Sequence, residues 1–260
     1  MAEFFDVIEG TTTMHNIIPK QGKASNVGAE LKTGEAVLGS AVLIINVVQL
    51  IPAGKRLSMA VRAAISAYEK TGHMLDAALA YAAHGFPVFP LTSRKTPVPP
   101  RDEDPSGKFK DGIPGTGSFK KATTDPDQIH TWWDEHEYLI GLPMGAASRV
   151  WCTDVDTSED HVDGVAEWEK IVAQHEPIVT REHRSATAGP HLLFNWYPEQ
   201  PIHCGSGELP DGISVKGQGG YIVVPPSRRK GRAYAVFRDI DPIDAPQWLI
   251  DLTARAHTIE

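Results

Sequence analysis

The chain has 260 residues, of which 41% are hydrophobic and 22% charged, a balance that excludes a disordered or fibrous chain and leaves room for a core without disulfide staples. A net charge of −8 excludes a uniformly basic nucleic-acid coat but is compatible with a local basic groove. Cys152 and Cys204 form neither a CxxC nor a zinc-ribbon spacing, so a reducing, cytoplasmic setting without a cysteine metal site is expected.

The opening stretch MAEFFDVIEGTTTMHN lacks the basic and apolar regions of a secretory signal. The longest apolar run, VLGSAVLIINVVQLI, is too short for a bilayer and is broken by Gly39, Ser40, Asn46 and Gln49. No membrane association is expected. Residues 1–56 read as an N-terminal extension of unknown role, and 57–260 as one domain. From Leu57 to Ala83 the spacing predicts two helical pieces, with Leu75, Ala78, Leu79 and Ala82 on one face and Gly85 at the stop position. FPVFPL then reads as a short strand.

Residues 92–127 are rich in Pro, Gly and charge and read as a long functional or mobile loop. Asp125 as N-cap and Pro126 at the first helical position open a helix whose apolar face is Ile129, Trp132 and Trp133. The paired tryptophans are expected to pack in the core. YLIGLPM, RVWCTDVD, HLLFNWY, GISVKG, GYIVVPPS and AYAVFR read as strands. GVAEWEKIVAQHE and APQWLIDLTARAH read as helices. Four basic patches stand out in this acidic chain, at 93–95, 108–110, 120–121 and 227–232. Each taken alone reads as a solvated loop.

Three features carry candidate chemistry. Asp154 and Asp156 end the β-prone run VWCTDVD, so they project from one face of a strand end. Such a pair suits Mg2+ or Mn2+ shared with phosphate oxygens; carboxylates simply facing water remain the other reading. In RSATAGPHLLF, Thr187, Ala188 and Gly189 could bring backbone N–H groups to a phosphate, and His191 could donate to it, a purely structural histidine at a strand start being the other reading. In DGISVKGQGGYIVVPPS the glycines signal a β-hairpin, and Lys216 would sit on a neighbouring strand with its ammonium free for phosphate.

Taken in order, ALAYAAHGFPVFPL, RKTP, GSFKKATTDPDQIHTWW, LIGLPMG, VWCTDVD, TAGPHLLF and VKGQGGYIVVPPS resemble the N-terminal domain of bifunctional DNA primase/polymerases of the archaeo-eukaryotic primase superfamily, over about residues 75–237. The resemblance implies an α/β (α+β) fold: a primase-like catalytic core with an RRM-like mixed or antiparallel sheet, a second small αβ unit, flanking helices and a cleft. It implies template-directed nucleotidyl transfer that makes or extends primers on DNA from nucleoside triphosphates. Two Mg2+ or Mn2+ ions would be held by Asp154 and Asp156, with His191 as a further catalytic residue and Thr187, His191 and Lys216 binding the nucleotide.

One position departs from the family pattern. Its strand before the Gly-rich turn resembles GVDVRGDGG, whereas here GISVKGQGG puts Ser214 where a third acid is expected. Asp211 or Glu208 is the available substitute. The alternatives are therefore a catalytically weakened nucleotide- or nucleic-acid-binding module in a larger assembly, or a metal-dependent hydrolase of nucleoside triphosphates or nucleic acid. The implied setting is replication of a plasmid, phage or other mobile element. With no G-x-x-x-x-G-K loop followed by Ser or Thr, a helicase would come from another chain or from a C-terminal module beyond this sequence.

Overall fold

The computed structural model describes residues 34–38, 41–45, 51–159 and 162–254. The chain divides after Ile51 into two units. In the first, β1 (Gly34–Leu38) and β2 (Ala41–Ile45) pair antiparallel. The sequence reading assigned no fold there; the rest of the first fifty residues lies outside the described ones.

The second unit begins with α1 (Ala53–Thr71) and α2 (Met74–Ala83), the two expected helices. Gly72 ends α1 in the left-handed conformation that glycine adopts without a Cβ clash, and its N–H caps the Tyr68 carbonyl at 2.7 Å. β3 (Phe89–Leu91) follows, and then the long loop, which contains one 3-10 turn at Ser118–Lys121. α3 (Pro126–Trp133) starts as expected: the Asp125 carboxylate accepts from the Asp127 N–H at 3.0 Å. Asp125→Ala should lower stability by about 1 kcal/mol, read from a denaturant midpoint. Trp133 is buried and donates its indole N–H to the Tyr138 carbonyl at 3.1 Å, a core role.

Two antiparallel sheets carry the remaining architecture. The smaller has the order β3-β4-β9, with β4 at Leu139–Pro143 and β9 at Tyr221–Val223. The larger has the order β12-β6-β7-β5-β8: β12 (Ala235–Arg238), β6 (Arg181–Arg184), β7 (Pro190–Asn195), β5 (Val150–Val155) and β8 (Ile213–Lys216). β10 (Arg228–Arg229) and β11 (Arg232–Ala233) make a small separate hairpin.

Strand alternation sorts the faces of the larger sheet. Trp151, Val155, Leu192, Phe194, Ile213 and Val215 pack on Trp168 of α4 (Val165–Val172) and Leu249 of α5 (Gln247–Ala254). On the other face Val150, Cys152 and Leu193 join a core with α1, α2 and residues of the smaller sheet. Asp154, His191 and Ser214 continue this second face beyond those core positions. The fold is thus mixed α+β with antiparallel sheets, as expected, and consistent with a primase-like core.

One expectation fails. β8 and β9 are not a hairpin: β8 pairs with β5, and β9 pairs with β4 in the other sheet. The outer edge of β8 is already used, since Val215 and Gly205 exchange backbone hydrogen bonds at 2.7 and 3.2 Å. The turn between them is tied elsewhere, with Gln218 N–H donating to the Ile202 carbonyl at 2.7 Å and its side-chain oxygen accepting from Ala146 N–H at 2.8 Å. The Gly-rich segment therefore carries the chain from one sheet to the other.

Candidate active site between the two sheets

Register builds the centre. In the larger sheet His183, His191, Asp154 and Ser214 lie directly opposite one another on β6, β7, β5 and β8. Residues in register across a sheet share a face, so these four side chains form a row. The His191 imidazole Nε2 lies 3.1 Å from Asp154 Oδ1. Lys216 is two residues beyond Ser214 on the same face; its Nζ donates to Ser214 Oγ at 2.9 Å and lies 3.5 Å from Asp154 Oδ2. His191 thus touches the carboxylate directly from the neighbouring strand instead of facing it across a gap.

Burial alone would push the Asp154 carboxyl up. The charge of His191 and its hydrogen bond, joined by Lys216 and Lys95, outweigh burial and hold the group well below the usual carboxylate range. A fixed negative charge therefore sits at the seam of the two sheets. It opens into a cavity of about 350 Å³, whose lining includes Lys95, Asp154, His191, Lys216, Tyr221 and Tyr234. Asp156, half-buried one residue past β5, continues the strand: its N–H donates to the Gly212 carbonyl at 2.7 Å. It shares the Asp154 side of the strand by alternation, but it is not part of this lining.

A second cavity, of about 450 Å³, meets the first at Lys95 and is strongly basic: Arg94, Lys95, Arg229, Lys230 and Arg232 line it with Thr187, Ala186 and Glu159. Two patches read from the sequence as solvated loops converge here from positions more than 130 residues apart. Arg229 Nε donates to the Ser93 carbonyl at 3.1 Å and the Tyr221 hydroxyl donates to the Lys95 carbonyl at 3.2 Å, which joins the loops. Arg232 pairs with Glu159 at 2.6 Å. The patch at 108–110 is exposed as expected, and Lys121 pairs with Asp102 at 2.6 Å.

The Ser185–Gly189 turn places Thr187 on the basic cavity and His191 on the other. Its backbone does not cradle an anion as the sequence suggested. Ser185 Oγ accepts from the N–H groups of Thr187 and Gly189 at 3.3 and 3.0 Å, and the Ser185 carbonyl accepts from Ala188 N–H at 2.9 Å. Hydrogen bonds inside the turn satisfy these donors, so any anion contact falls to side chains. Gly189 is required for a different reason: a Cβ there would lie 2.4 Å from the Val155 carbonyl oxygen. The proposed substitutes for a third acid are also elsewhere, because Glu208 and Asp211 are exposed and neither lines the Asp154 cavity.

Asp154 and Asp156 are the carboxylates here that could hold a hard divalent ion, which would complete its shell with phosphate and water oxygens. Among the described residues no three Asp, Glu, His or Cys side chains converge as a metal-holding group. No helix among the described residues is long and apolar enough to cross a membrane. A search among curated proteins finds no match. Residues 78–248, about two thirds of the chain, match the family model described as bifunctional DNA primase/polymerase, N-terminal. The chain therefore belongs to the family of N-terminal bifunctional DNA primase/polymerase domains, which places it among DNA primase/polymerase-type nucleotidyltransferases.

Proposed function

We propose that this domain makes or extends primers on a DNA template, joining a 3′-hydroxyl to the α-phosphorus of a nucleoside triphosphate with release of pyrophosphate. The observation that carries this reading is the junction at Lys95 of a carboxylate centre with a cleft of five basic side chains. A triphosphate needs positive charge along its tail and a metal-binding carboxylate near its reacting end. Here the two environments adjoin.

In this reading Arg94, Lys95, Arg229 and Lys230 bind the phosphate tail, with Thr187 at the wall of the same cleft. Arginine contributes a planar fork and lysine a point charge, so the arginines would orient the phosphates and the lysines neutralise them. Asp154 and Asp156 would hold Mg2+ or Mn2+. When bound, such an ion would neutralise charge on the phosphates and on the leaving pyrophosphate. Lys216 lies where it can donate to phosphate oxygens, and His191 would do so only through the Nε2 now in contact with Asp154, its Nδ1 being buried. The proposal extends to replication of a plasmid, phage or other mobile element, with helicase activity supplied by another chain or module.

The test is extension of a labelled primer by purified protein with a divalent ion, with and without template. Product that needs both template and metal supports the reading, and no product at any nucleotide concentration ends it. Lys95→Ala should raise the nucleotide KM by about 10-fold with a smaller change in kcat, since it removes binding charge shared by both cavities. A second reading has its own observation: Ser214 stands opposite Asp154 where a carboxylate would complete a metal site. A domain so built would bind triphosphate yet turn it over slowly, visible as saturable binding with little extension.

A further inference from the structure

We propose that the Lys216 ammonium is the resident second cation of this site, so that the chain takes up one divalent ion with a nucleoside triphosphate and not two. This rests on the reading above that Asp154 and Asp156 hold a divalent ion.

The geometry around Asp154 carries the inference. Lys216 starts on β8 opposite the buried Cys152, and its side chain runs along the sheet face toward Asp154. Its Nζ stands 2.9 Å from Ser214 Oγ and 3.5 Å from Asp154 Oδ2. Ser214, directly across from Asp154, accepts a hydrogen bond from this ammonium and so holds a positive charge between positions 154 and 214. The other Asp154 oxygen faces His191 Nε2 at 3.1 Å. An ion shared between positions 154 and 214 would meet an ammonium at contact distance and a hydroxyl that brings no negative charge. Like charges at such range repel strongly in a partly buried site. Lys216 instead supplies one unit of fixed positive charge there, without a hydration shell to shed.

The chemical consequence is a division of labour. Phosphate neutralisation survives, because an ammonium donates to phosphate oxygens as well as a hydrated ion does. Help in removing the proton of an attacking hydroxyl does not, because an ammonium has no open coordination position to take up that oxygen. Nucleotide binding is therefore expected to outlast proficient chemistry.

Manganese titration read by electron paramagnetic resonance tests this on the intact chain with a non-hydrolysable nucleoside triphosphate. The wild-type chain should take up one Mn2+ per chain with the analogue present. Ser214→Asp should add a weaker second ion, and adding Lys216→Met to that variant should tighten the second ion by at least about 10-fold, the scale of removing one like charge from a partly buried neighbour. Two ions on the wild-type chain would overturn the inference and leave the proposed function standing. No nucleotide-dependent ion at all would overturn both. Equal second-ion affinity with and without Lys216 would also overturn it, by showing that the ammonium does not hold that place.

Discussion

Asp154→Asn should lower metal-dependent primer extension by about 10²-fold or more, the scale of losing one preorganised charged group at a reacting centre. It should at the same time tighten metal-free binding of the triphosphate by a few-fold. Both effects have one origin. The native carboxylate is held in its charged form: burial works against the charge, but His191, Lys216 and Lys95 outweigh it. Lys216 and Lys95 are also groups proposed to meet the phosphates, so Asp154 competes with substrate for them until a divalent ion arrives. Asparagine keeps the shape, removes the charge and releases Lys216 from its 3.5 Å contact. Because a depressed carboxyl pKa contributes stability above the ordinary carboxylate value and loses it as pH falls, the variant should also be less stable at neutral pH, with the difference shrinking in acid. Titration in the presence of a chelator measures binding, and extension with Mn2+ measures chemistry. Binding and extension that fall together would mean the side chain only supports the fold.

Local patterns account for much of this architecture. Helical spacing of small and apolar residues marks α1 and α2, and Asp125-Pro126 marks the start of α3, because capping and periodicity are settled within a few residues. The apolar runs around Asp154 and His191 read as strands for the same reason. β6 was missed. Its sequence, REHR, carries no apolar signal, yet Arg181 and His183 are fully buried. Their partners lie far along the chain: Arg181 Nη1 donates to Asp239 at 2.9 Å, to Ser58 Oγ at 3.0 Å and to the Ile240 carbonyl at 3.1 Å. The basic cleft was missed likewise, since residues 93–95 and 228–232 meet only through tertiary packing. The Gly-rich turn misled because its glycines have the same local signature whether β9 folds back on β8 or, with that edge taken by Gly205, crosses to β4. Position 214 shows the limit most sharply: the serine is plain in the sequence, whereas the ammonium drawn into its place is a fact of register.

Below pH 6.5 the wild-type chain should lose stability relative to a His183→Gln variant, at about 1.4 kcal/mol per pH unit until the folded-state imidazole itself titrates. His183 is fully buried between Val236 and His191 in the cross-strand row. Burial, then the charges of Arg181 and His191, hold its pKa well below the ordinary value of 6.5. Arg181 Nε donates to His183 Nε2 at 2.9 Å, and an accepting Nε2 belongs to the neutral ring. The folded state therefore refuses the proton that the unfolded chain accepts from about pH 6.5 downward, so stability is complete above that value and declines below it. A Gln side-chain oxygen accepts from the same guanidinium and has no proton to gain, which removes this slope. Asp239, the carboxylate partner of Arg181, does not confuse the window. Its pKa is held down chiefly by the hydrogen bond from Arg62, then by Arg181, so its own contribution is lost only as pH falls below the carboxylate range. Denaturant midpoints of both proteins between pH 5 and 7.5 make the comparison, and parallel curves would show that the fold does not depress the His183 pKa. His183 stands directly across from His191 on the side remote from Asp154, so a neutral ring there adds no charge to the row. The same variant should therefore leave nucleotide binding intact at pH 7.5 if the row acts by charge exclusion, and weaken it if the imidazole is needed as a support.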